Sequence, residues 1–380
     1  MKTIEIRKAG FTNKGAEMML VASVQQLRLR LPSARLVVAP NYTLPFERRA
    51  KLGLWHRAEM IKKGYDLGRA VEALPGKLRE RYGFVTSAEV DVILDAAGFA
   101  YSDQWGSAPI FELDKRAARW KEAGKKIILL PQAFGPFEKP GAADAIRRIA
   151  DRATLIYARD RQSYHYLVHA VGERESIRIS PDFTTLLRPT YCSTIAKGEG
   201  AVAVVPNARM LDMTGLAVKD IYESFLLEAI DRLQAAGLTP FFLIHETLDD
   251  LALARRINAA RGEPLEIREV EDAVAAKGLI AQCDGLIGSR YHALVSALDQ
   301  AVPAIGTGWS HKYQELFNDY DYGEGLVDIP LSTVDFDAKL APLLSSEGRA
   351  EISRRLSTAS RKIEAKVSAM WDEIEAVIAA

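Results

Sequence analysis

Short runs of β-branched and apolar residues alternate along most of the chain with longer stretches in which apolar residues recur every three or four positions. The first pattern is typical of strands buried on both faces, and the second is typical of helices that pack on a sheet. The predicted strands are TIEIRKA, ARLVVAP, VDVILDAAG, KKIILLPQ, ATLIYAR, AVAVVPN, PFFLIHE, DGLIG and VPAIGTG.

Helices are predicted between most of these strands. They cover residues 15–32, 108–124, 140–151, 161–170, 219–237, 248–261, 272–282 and 291–299. A helix between two strands is the crossover that a parallel sheet requires. The sequence therefore predicts an α/β protein with two doubly wound parallel-sheet domains that face each other across a cleft.

The alternation breaks at RPTYCSTIAKGEG, residues 188–200, where turn-forming and polar residues precede a new strand. We therefore place an N-terminal α/β domain at residues 1–192 and a C-terminal α/β domain at residues 193–343. Residues 344–380 carry apolar side chains at helical spacing, which predicts an amphipathic helix packing across the domains. A helix on a membrane surface is the alternative, and the acidic residues among its bases disfavour it.

Residues 45–84 interrupt the alternation, and we predict a largely helical insertion there. Its basic residues are Arg48, Arg49, Lys51, Arg57, Lys62, Lys63 and Arg69. They form either a solvated face or an acceptor lobe that faces an anionic carrier or a membrane surface, where local charge matters more than net charge.

Composition excludes several classes of protein. The chain has 380 residues and a formal net charge of zero, whereas nucleic-acid binding requires a basic footprint. No run of apolar residues is long enough to cross a membrane, and the first residues do not resemble a secretory signal, so we expect a cytoplasmic protein. Cys192 and Cys283 stand far apart, which fits neither a zinc site nor a disulfide framework. We predict no metal and no cofactor.

Ligands of open α/β sheets bind outside the carboxyl ends of the strands, so the loops that follow strands are the places to search. The first such loop is GFTNKGAEMML, in which Asn13 either binds a ligand at the helix N-terminus or caps the helix. In the loop DAAGFAYSDQWG, Tyr101, Asp103 and Trp105 are candidates to line a saccharide subsite by stacking and hydrogen bonding. Asp95, where this loop begins, either binds substrate or caps a turn.

Two further loops carry charge. In ATLIYARDRQSYHYL, Arg159 ends a strand and Ser163 lies in the next helical turn, which suits a carboxylate or a phosphate. A surface arrangement with the neighbouring Asp160 is the alternative. Asp182, in SPDF, is a candidate base or a carboxylate that supports one.

The stretch GSRYHALVSALDQAVPAIGTGWSHKYQEL, residues 288–316, is the strongest candidate. Ser289 makes a turn after a buried strand, and Arg290 and His292 lie at the positive end of the next helix. An imidazolium is disfavoured there unless an anion compensates, so a bound anion and the proton of His292 are coupled. Lys312 follows in the next helix as a further partner for an anion. His245 and His311 are secondary candidates.

These residues resemble the polysaccharide pyruvyl transferase family. The resemblance covers most of the chain through GFTNKGAEMML, VILDAAG, LLPQAFGPF, ARDRQS, SPDF and the stretch at residues 288–316, whose order and spacing are the most specific. It implies a glycosyltransferase-B-like fold and the transfer of pyruvate from phosphoenolpyruvate to two hydroxyls of a sugar, with release of phosphate. The acceptor would be a polysaccharide or its precursor, including a carrier-linked one. If the basic residues of the insertion face a membrane, that contact would be peripheral.

The resemblance also assigns roles. The arginine-x-histidine of the family falls on Arg290 and His292, its other arginine falls on Arg159 with Ser163 behind it, and its late lysine falls on Lys312. Trp309, Ser310 and His311 stand where a tyrosine often precedes that lysine.

In the mechanism that we expect, His292 protonates the methylene carbon and Asp182 or Asp95 accepts a hydroxyl proton. Two rival functions stay open: a nucleotide-sugar glycosyltransferase and a non-catalytic saccharide-binding protein.

Overall fold

The computed structural model describes residues 1–11, 13–40, 43–59, 61–62, 65–191, 195–246, 248–330 and 332–380. The chain divides into two compact units. Unit 1 consists of Met1–Thr12, Met19–Leu186 and Lys366–Ala380, and unit 2 consists of Asn13–Met18 and Leu187–Ala365. The predicted domain boundary and Cys192 lie outside the described residues.

Unit 1 is built from short, mostly buried strands. They are β1 (Thr3–Arg7), β2 (Arg35–Val38), β3 (Trp55–Arg57), β4 (Ile61–Lys62), β5 (Tyr65–Asp66), β6 (Phe84–Val85), β7 (Val92–Asp95), β8 (Tyr101–Ser102), β9 (Lys126–Gln132), β10 (Phe134–Gly135), β11 (Leu155–Ala158) and β12 (Ile177–Ile179).

Eight of these strands form a sheet in the order β12-β11-β9-β7-β1-β2-β3-β6, and all of its pairings are parallel. Strands β8 and β10 form a small parallel pair, and β4 and β5 form an antiparallel one. The chain order reverses between β1 and β7, which makes the carboxyl ends of these two strands a topological switch point.

The helices of this part of the chain are α1 (Lys14–Arg30), α2 (Phe46–Lys51), α3 (Gly76–Arg81), α4 (Ala108–Glu122), α5 (Ala142–Arg152) and α6 (Arg161–Val171). Only the first residues of α1 belong to unit 2. One face of the large sheet, with Ile93 and Leu129, shares a buried cluster with Ile110 of α4 and Ile146 of α5.

Unit 2 contains five parallel strands, β13 (Ala201–Val205), β14 (Thr239–Ile244), β15 (Ile267–Glu269), β16 (Gly285–Gly288) and β17 (Ala304–Gly306). Their order is β15-β14-β13-β16-β17, so the switch point lies between β13 and β16. The helices are α7 (Arg209–Asp212), α8 (Leu216–Ala235), α9 (Leu248–Ala259), α10 (Ala273–Ala281), α11 (Tyr291–Asp299), α12 (His311–Asp319), α13 (Thr333–Leu344) and α14 (Ser346–Ala379).

The predicted α/β class with two doubly wound parallel sheets is confirmed. The structure differs from the prediction at residues 45–84, where β3 and β6 extend the large sheet and the α-helices are only six residues long. These strands are short and carry charged or exposed neighbours, as is common near a sheet edge, so their periodicity is weak. Outside this segment, strands β8, β10, β12 and β15 and helices α7 and α13 were not predicted.

The basic residues of this segment do not form one solvated face. Arg49 and Arg57 are buried, and Arg57 lies 2.9 Å from a carboxylate oxygen of Glu5 in β1. Arg49 donates to the carbonyl of Leu54 at 2.7 Å. Lys63 lies outside the described residues.

Helix α14 is the predicted amphipathic helix. Its residues up to Ala365 count with unit 2 and those from Lys366 with unit 1. In unit 1 the fully buried Trp371 meets Phe183 edge to face, with 6.1 Å between ring centroids. None of the helices in the described ranges is long and apolar enough to span a lipid bilayer.

A buried ion pair links two helices of unit 2. The ammonium of Lys277 in α10 lies 2.6 Å from the carboxylate of Asp299 in α11, and both side chains are almost inaccessible. Burial raises the pKa of Asp299 to about 6, while Lys277 and a hydrogen bond from Ser360 of α14 oppose the shift. At pH 8 the carboxyl group of Asp299 is therefore ionised.

We predict that Asp299→Asn lowers the free energy of unfolding at pH 8 by about 3–5 kcal/mol, because it leaves the Lys277 ammonium buried without a counter-charge. The measurement is chemical denaturation followed by circular dichroism. The double variant Lys277→Met/Asp299→Leu removes both charges and is expected to regain most of the loss. Equal destabilisation of the single and double variants would show that the charge pair is not the cause.

Candidate functional site

The turn between β16 and α11 carries three of the predicted residues. Ser289 follows the strand, Arg290 is the N-cap residue of α11 with an extended backbone, and His292 lies in the first helical turn. Arg290 uses no side-chain bond to cap the helix. This turn lies at the carboxyl end of β16, beside the switch point of the unit 2 sheet.

Ser289 is fully buried, and both its hydroxyl and its carbonyl make hydrogen-bond contacts with other side chains. Its hydroxyl lies 2.9 Å from that of Tyr222, and its carbonyl accepts bonds from the Asn207 amide at 2.7 Å and the Tyr313 hydroxyl at 2.9 Å. These contacts fix the turn. The side chain predicted to bind a substrate is thus engaged with the protein itself.

Arg290 is paired with two carboxylates. It donates to both oxygens of Asp250 in α9, at 2.9 Å from Nε and 2.5 Å from Nη2, and its Nη1 pairs with Glu246. Asp250 has no exposed surface, whereas Glu246 is partly exposed. The bidentate pair fixes the plane of the guanidinium, and the edge with Nη1 faces the more accessible acid.

The N-terminus of α1 lies against His292. A Cβ atom on Gly15 would be 2.4 Å from Nδ1 of the imidazole, so glycine is the residue that permits this approach. The side chain of Asn13 accepts a hydrogen bond from the amide of Ala16 at 2.8 Å. Asn13 therefore caps the helix in this structure. The ammonium of Lys14 donates to the carbonyl of Glu271 at 2.9 Å. The first turns of α1 and α11 therefore meet at His292.

His245 follows β14 and is buried near the same residues. Burial lowers the pKa of His245 well below its usual value, and the nearby His292, Arg290 and Lys14 lower it further. Within the described ranges its Nε2 has no hydrogen-bond partner. His245 is therefore a neutral imidazole at physiological pH, close to the positive groups of the site.

Lys312 lies in the first turn of α12 among aromatic rings. Its Nζ is 5.2 Å from the ring centroid of Tyr291, 5.6 Å from that of Trp309 and 5.3 Å from that of Tyr313. Such rings stabilise an ammonium through their electron-rich faces. Ser310 is the N-cap residue of α12, although its side chain makes no capping bond.

Asp95 lies at the carboxyl end of β7, at the switch point of unit 1, and is almost fully buried. It accepts a bond from the hydroxyl of Tyr101 at 3.0 Å. Burial raises the pKa of Asp95, although Arg7 at the end of β1 and the Tyr101 bond act in the opposite direction. A carboxylate with a raised pKa is a better proton acceptor than an exposed one.

Arg159 and Asp182 are paired with each other in unit 1. Nη1 of Arg159 donates to Asp182 at 3.2 Å, and both side chains are buried. The other carboxylate oxygen of Asp182 accepts bonds from the amide and the hydroxyl of Thr184, at 3.0 and 2.6 Å. The predicted base thus has both of its oxygens engaged.

Ser163 is fully buried at the start of α6. Its amide donates to Asp160, the N-cap residue, at 2.6 Å, and its hydroxyl accepts a bond from the amide of Phe134 at 3.0 Å. The alternative of a surface arrangement for Asp160 does not apply, because Asp160 is buried.

In unit 2, five predicted residues thus lie in loops or first helical turns near the carboxyl ends of the strands. They are Asn13, Ser289, Arg290, His292 and Lys312. Unit 1 contains Asp95, Arg159, Ser163 and Asp182. Sequence reasoning missed Asp250, Glu246 and Tyr222, which hold Arg290 and Ser289. The sequence around Asp250 shows only an acidic first turn of α9, which is an ordinary feature of helices and does not indicate a site.

Among the residues that the structure describes, no group of three or more His, Cys, Asp and Glu side chains is arranged to hold a metal ion. Cys283 is buried, and burial raises the pKa of its thiol to about 12.

The family described as polysaccharide pyruvyl transferase matches residues 13–311. No curated protein matches the sequence.

Solved structures that resemble the chain include HepE from Anabaena in complex with UDP, with a TM-score of 0.61, 14% identity and 100% of both chains covered. They also include the UDP-GlcNAc 2-epimerase of Neisseria meningitidis bound to UDP-GlcNAc, with a TM-score of 0.59, 10% identity, and 97% of this chain and 99% of that chain covered. At such identities the likeness shows the fold, two Rossmann-like domains of the glycosyltransferase-B type.

We predict that Gly15→Ala displaces the His292 ring, because the added methyl group would overlap Nδ1. The expected result is a shift of the His292 side-chain signals in NMR spectra of histidine-labelled protein, with an unchanged circular dichroism spectrum. Gly15 has no left-handed backbone, so the effect is steric. The matched control is Gly215→Ala, where a Cβ atom meets nothing within 4 Å. Unaltered His292 signals in Gly15→Ala would contradict this contact.

Proposed function

Because the chain belongs to the polysaccharide pyruvyl transferase family and is therefore a transferase, we propose that it moves pyruvate from phosphoenolpyruvate to two hydroxyls of a sugar. Two carbon–oxygen bonds form at the central carbon of the donor and its bond to the phosphate oxygen breaks. Of the two hydroxyl protons, one ends on the methyl group and the other on phosphate. The product is a cyclic ketal on a polysaccharide or its precursor.

The position of His292 is the observation that carries this proposal. Its ring lies where the first turns of α1 and α11 meet, and both turns present backbone amides that favour negative charge. An anion bound there favours the imidazolium, which can then protonate the methylene carbon of the donor. Neutral His245 nearby adds no positive charge that would oppose this protonation.

Protonation of the methylene carbon makes the adjacent carbon electrophilic, and a sugar hydroxyl attacks it. Asp95 is better suited than Asp182 to accept the hydroxyl proton, because burial raises its pKa and Asp182 is engaged with Arg159 and Thr184. In this proposal Asp182 holds Arg159 in place, and Ser163 supports the loop around it.

In this proposal Arg290 binds the donor through one defined edge of its guanidinium. Asp250 holds one edge of the guanidinium in the buried interior, and Glu246 lies at the other edge. We infer that the carboxylate or phosphate of the donor replaces Glu246 at Nη1. Lys312, whose position is set by Tyr291, Trp309 and Tyr313, supplies a second positive charge.

The decisive assay is incubation of the protein with phosphoenolpyruvate and candidate saccharide acceptors. The proposal requires phosphate release that depends on the acceptor, together with a mass gain of one pyruvyl ketal on that acceptor. Release of nucleoside diphosphate from a nucleotide sugar, with no ketal formed, would instead indicate a glycosyltransferase. Saccharide binding without turnover of either donor would indicate a binding protein.

We predict that His292→Asn lowers kcat for phosphate release by about 10²–10⁴-fold, the usual contribution of a general acid. Asparagine keeps a polar side chain at the position but cannot transfer the proton. The control is His169→Asn, which changes an exposed histidine and should keep the wild-type rate. A near wild-type rate in His292→Asn would exclude the acid role.

We predict that Glu246→Gln lowers KM for phosphoenolpyruvate by about fivefold, which corresponds to about 1 kcal/mol for a partly exposed ion pair. The neutral amide competes less well for Arg290 than the carboxylate does, while kcat should change little. Steady-state kinetics at fixed acceptor concentration measure this effect. Asp249→Asn removes an exposed acid three positions away and should leave KM unchanged. A raised KM in Glu246→Gln would show that Glu246 assists binding.

A further inference from the structure

Gln132 is a fully buried amide at the carboxyl end of β9. Within the part of the chain that the structure describes, neither its side-chain oxygen nor its nitrogen has a hydrogen-bond partner. Its backbone is firmly held, since its carbonyl accepts a bond from the amide of Arg159 at 3.0 Å. An amide buried without a partner opposes folding, so such a group calls for an explanation.

The register of the sheet shows which way this side chain is directed. Ile156 of β11 pairs with Leu129, but Ala158 pairs with Gln132, so β9 contains one extra residue between these pairs. This is a β-bulge, which shifts the alternation of side chains by one position. Directly paired residues share a face, so Gln132 lies on the face of Leu129 and Ala158. Asp95 pairs with Leu129 and lies on that face as well.

The loops that follow β7 and β9 are joined to each other. The amide of Ala133 donates to the carbonyl of Gly98 at 2.9 Å, and Phe134 pairs with Tyr101, whose hydroxyl binds Asp95. Gln132 and Asp95 therefore belong to one connected group at the carboxyl edge of the sheet.

The loop that follows β7 carries a further unsatisfied polar atom and an exposed aromatic ring. Oδ1 of Asp103 is buried and, among the described residues, has no hydrogen-bond partner. Two residues later, the indole of Trp105 is 45% exposed and packs edge to face on Phe99. An exposed aromatic ring beside buried hydrogen-bonding groups is suited to a ligand that has an apolar face and polar edges.

We propose that Gln132 binds a hydroxyl of the saccharide acceptor, next to a hydroxyl held by Asp95, an assignment that rests on the proposed function for the identity of the ligand. The amide offers one acceptor and two donors, and each sugar hydroxyl can both donate and accept. The Gln132 amide and the Trp105 indole are uncharged groups that offer hydrogen bonds and an apolar face, so they suit a neutral sugar ring. Because Gln132 is fully buried in this structure, the proposal requires the loop of residues 97–106 to move aside when the sugar binds.

The test compares Gln132→Met with the wild-type protein. Methionine has a similar length and removes the unsatisfied amide, so we expect the thermal unfolding midpoint to rise by about 2–4 °C. At the same time KM for the acceptor should rise by about tenfold while KM for phosphoenolpyruvate stays the same. A structural role of the amide would predict the opposite change in stability and no change in acceptor affinity.

Binding is also measured without turnover, so that the inference can fail separately from the proposed function. The probes are methyl glycosides of galactose, glucose and mannose, observed by saturation-transfer NMR. Gln104→Met, which changes an exposed glutamine of the same loop, serves as the control and should bind as the wild type does.

Loss of the saccharide signal in Gln132→Met alone supports the inference even if no pyruvyl transfer occurs. Equal binding by both variants and the wild type, or no binding by the wild type, overturns it. Equal binding together with a raised unfolding midpoint in Gln132→Met would indicate that only water bonds the amide.

Discussion

The bidentate ion pair between Arg290 and the inaccessible carboxylate of Asp250 is the constraint on which the unit 2 site depends. A buried carboxylate without a cation is strongly unfavourable, so the guanidinium has to stay at the start of α11. Asp250 also accepts a bond from the amide of Ala208, just after β13. One carboxylate thereby fixes the ends of both strands at the switch point, and with them the position of His292.

Most of the fold could be predicted from the sequence because the strands are buried on both faces. Runs such as those of β7 and β13 are almost wholly apolar, and the helices between them keep a regular period. The strands that escaped prediction are short or charged: β15 contains Arg268 and Glu269, and β3 contains His56 and Arg57. In these strands partners in the tertiary structure, such as Glu5 for Arg57, make burial of the charge tolerable.

The candidate site could be predicted only in part from the sequence, for a different reason. Loops after strands identify where functional groups can lie, and Arg290, His292 and Lys312 were found in this way. What each group does depends on contacts that are distant in sequence, such as the forty positions between Asp250 and Arg290. Ser289, Ser163 and Asn13 have side chains that suit a ligand, but the structure uses them to hold turns and helix ends.

Polar groups at the carboxyl ends of the strands are of two kinds. Arg290 and Ser289 are matched by protein partners, whereas Gln132, Asp103 and His245 have side-chain atoms without partners within the described ranges. Matched groups give a site a fixed geometry before a ligand arrives. Unmatched groups lower stability until a ligand supplies the missing bonds.

The extra residue in β9 has a consequence for interpreting the sequences of such proteins. Side chains alternate along a regular strand, so a residue three positions after Leu129 would lie on the opposite face of the sheet. The bulge places Gln132 on the same face as Leu129 instead. A strict alternation pattern would therefore assign this amide to the wrong side of the sheet.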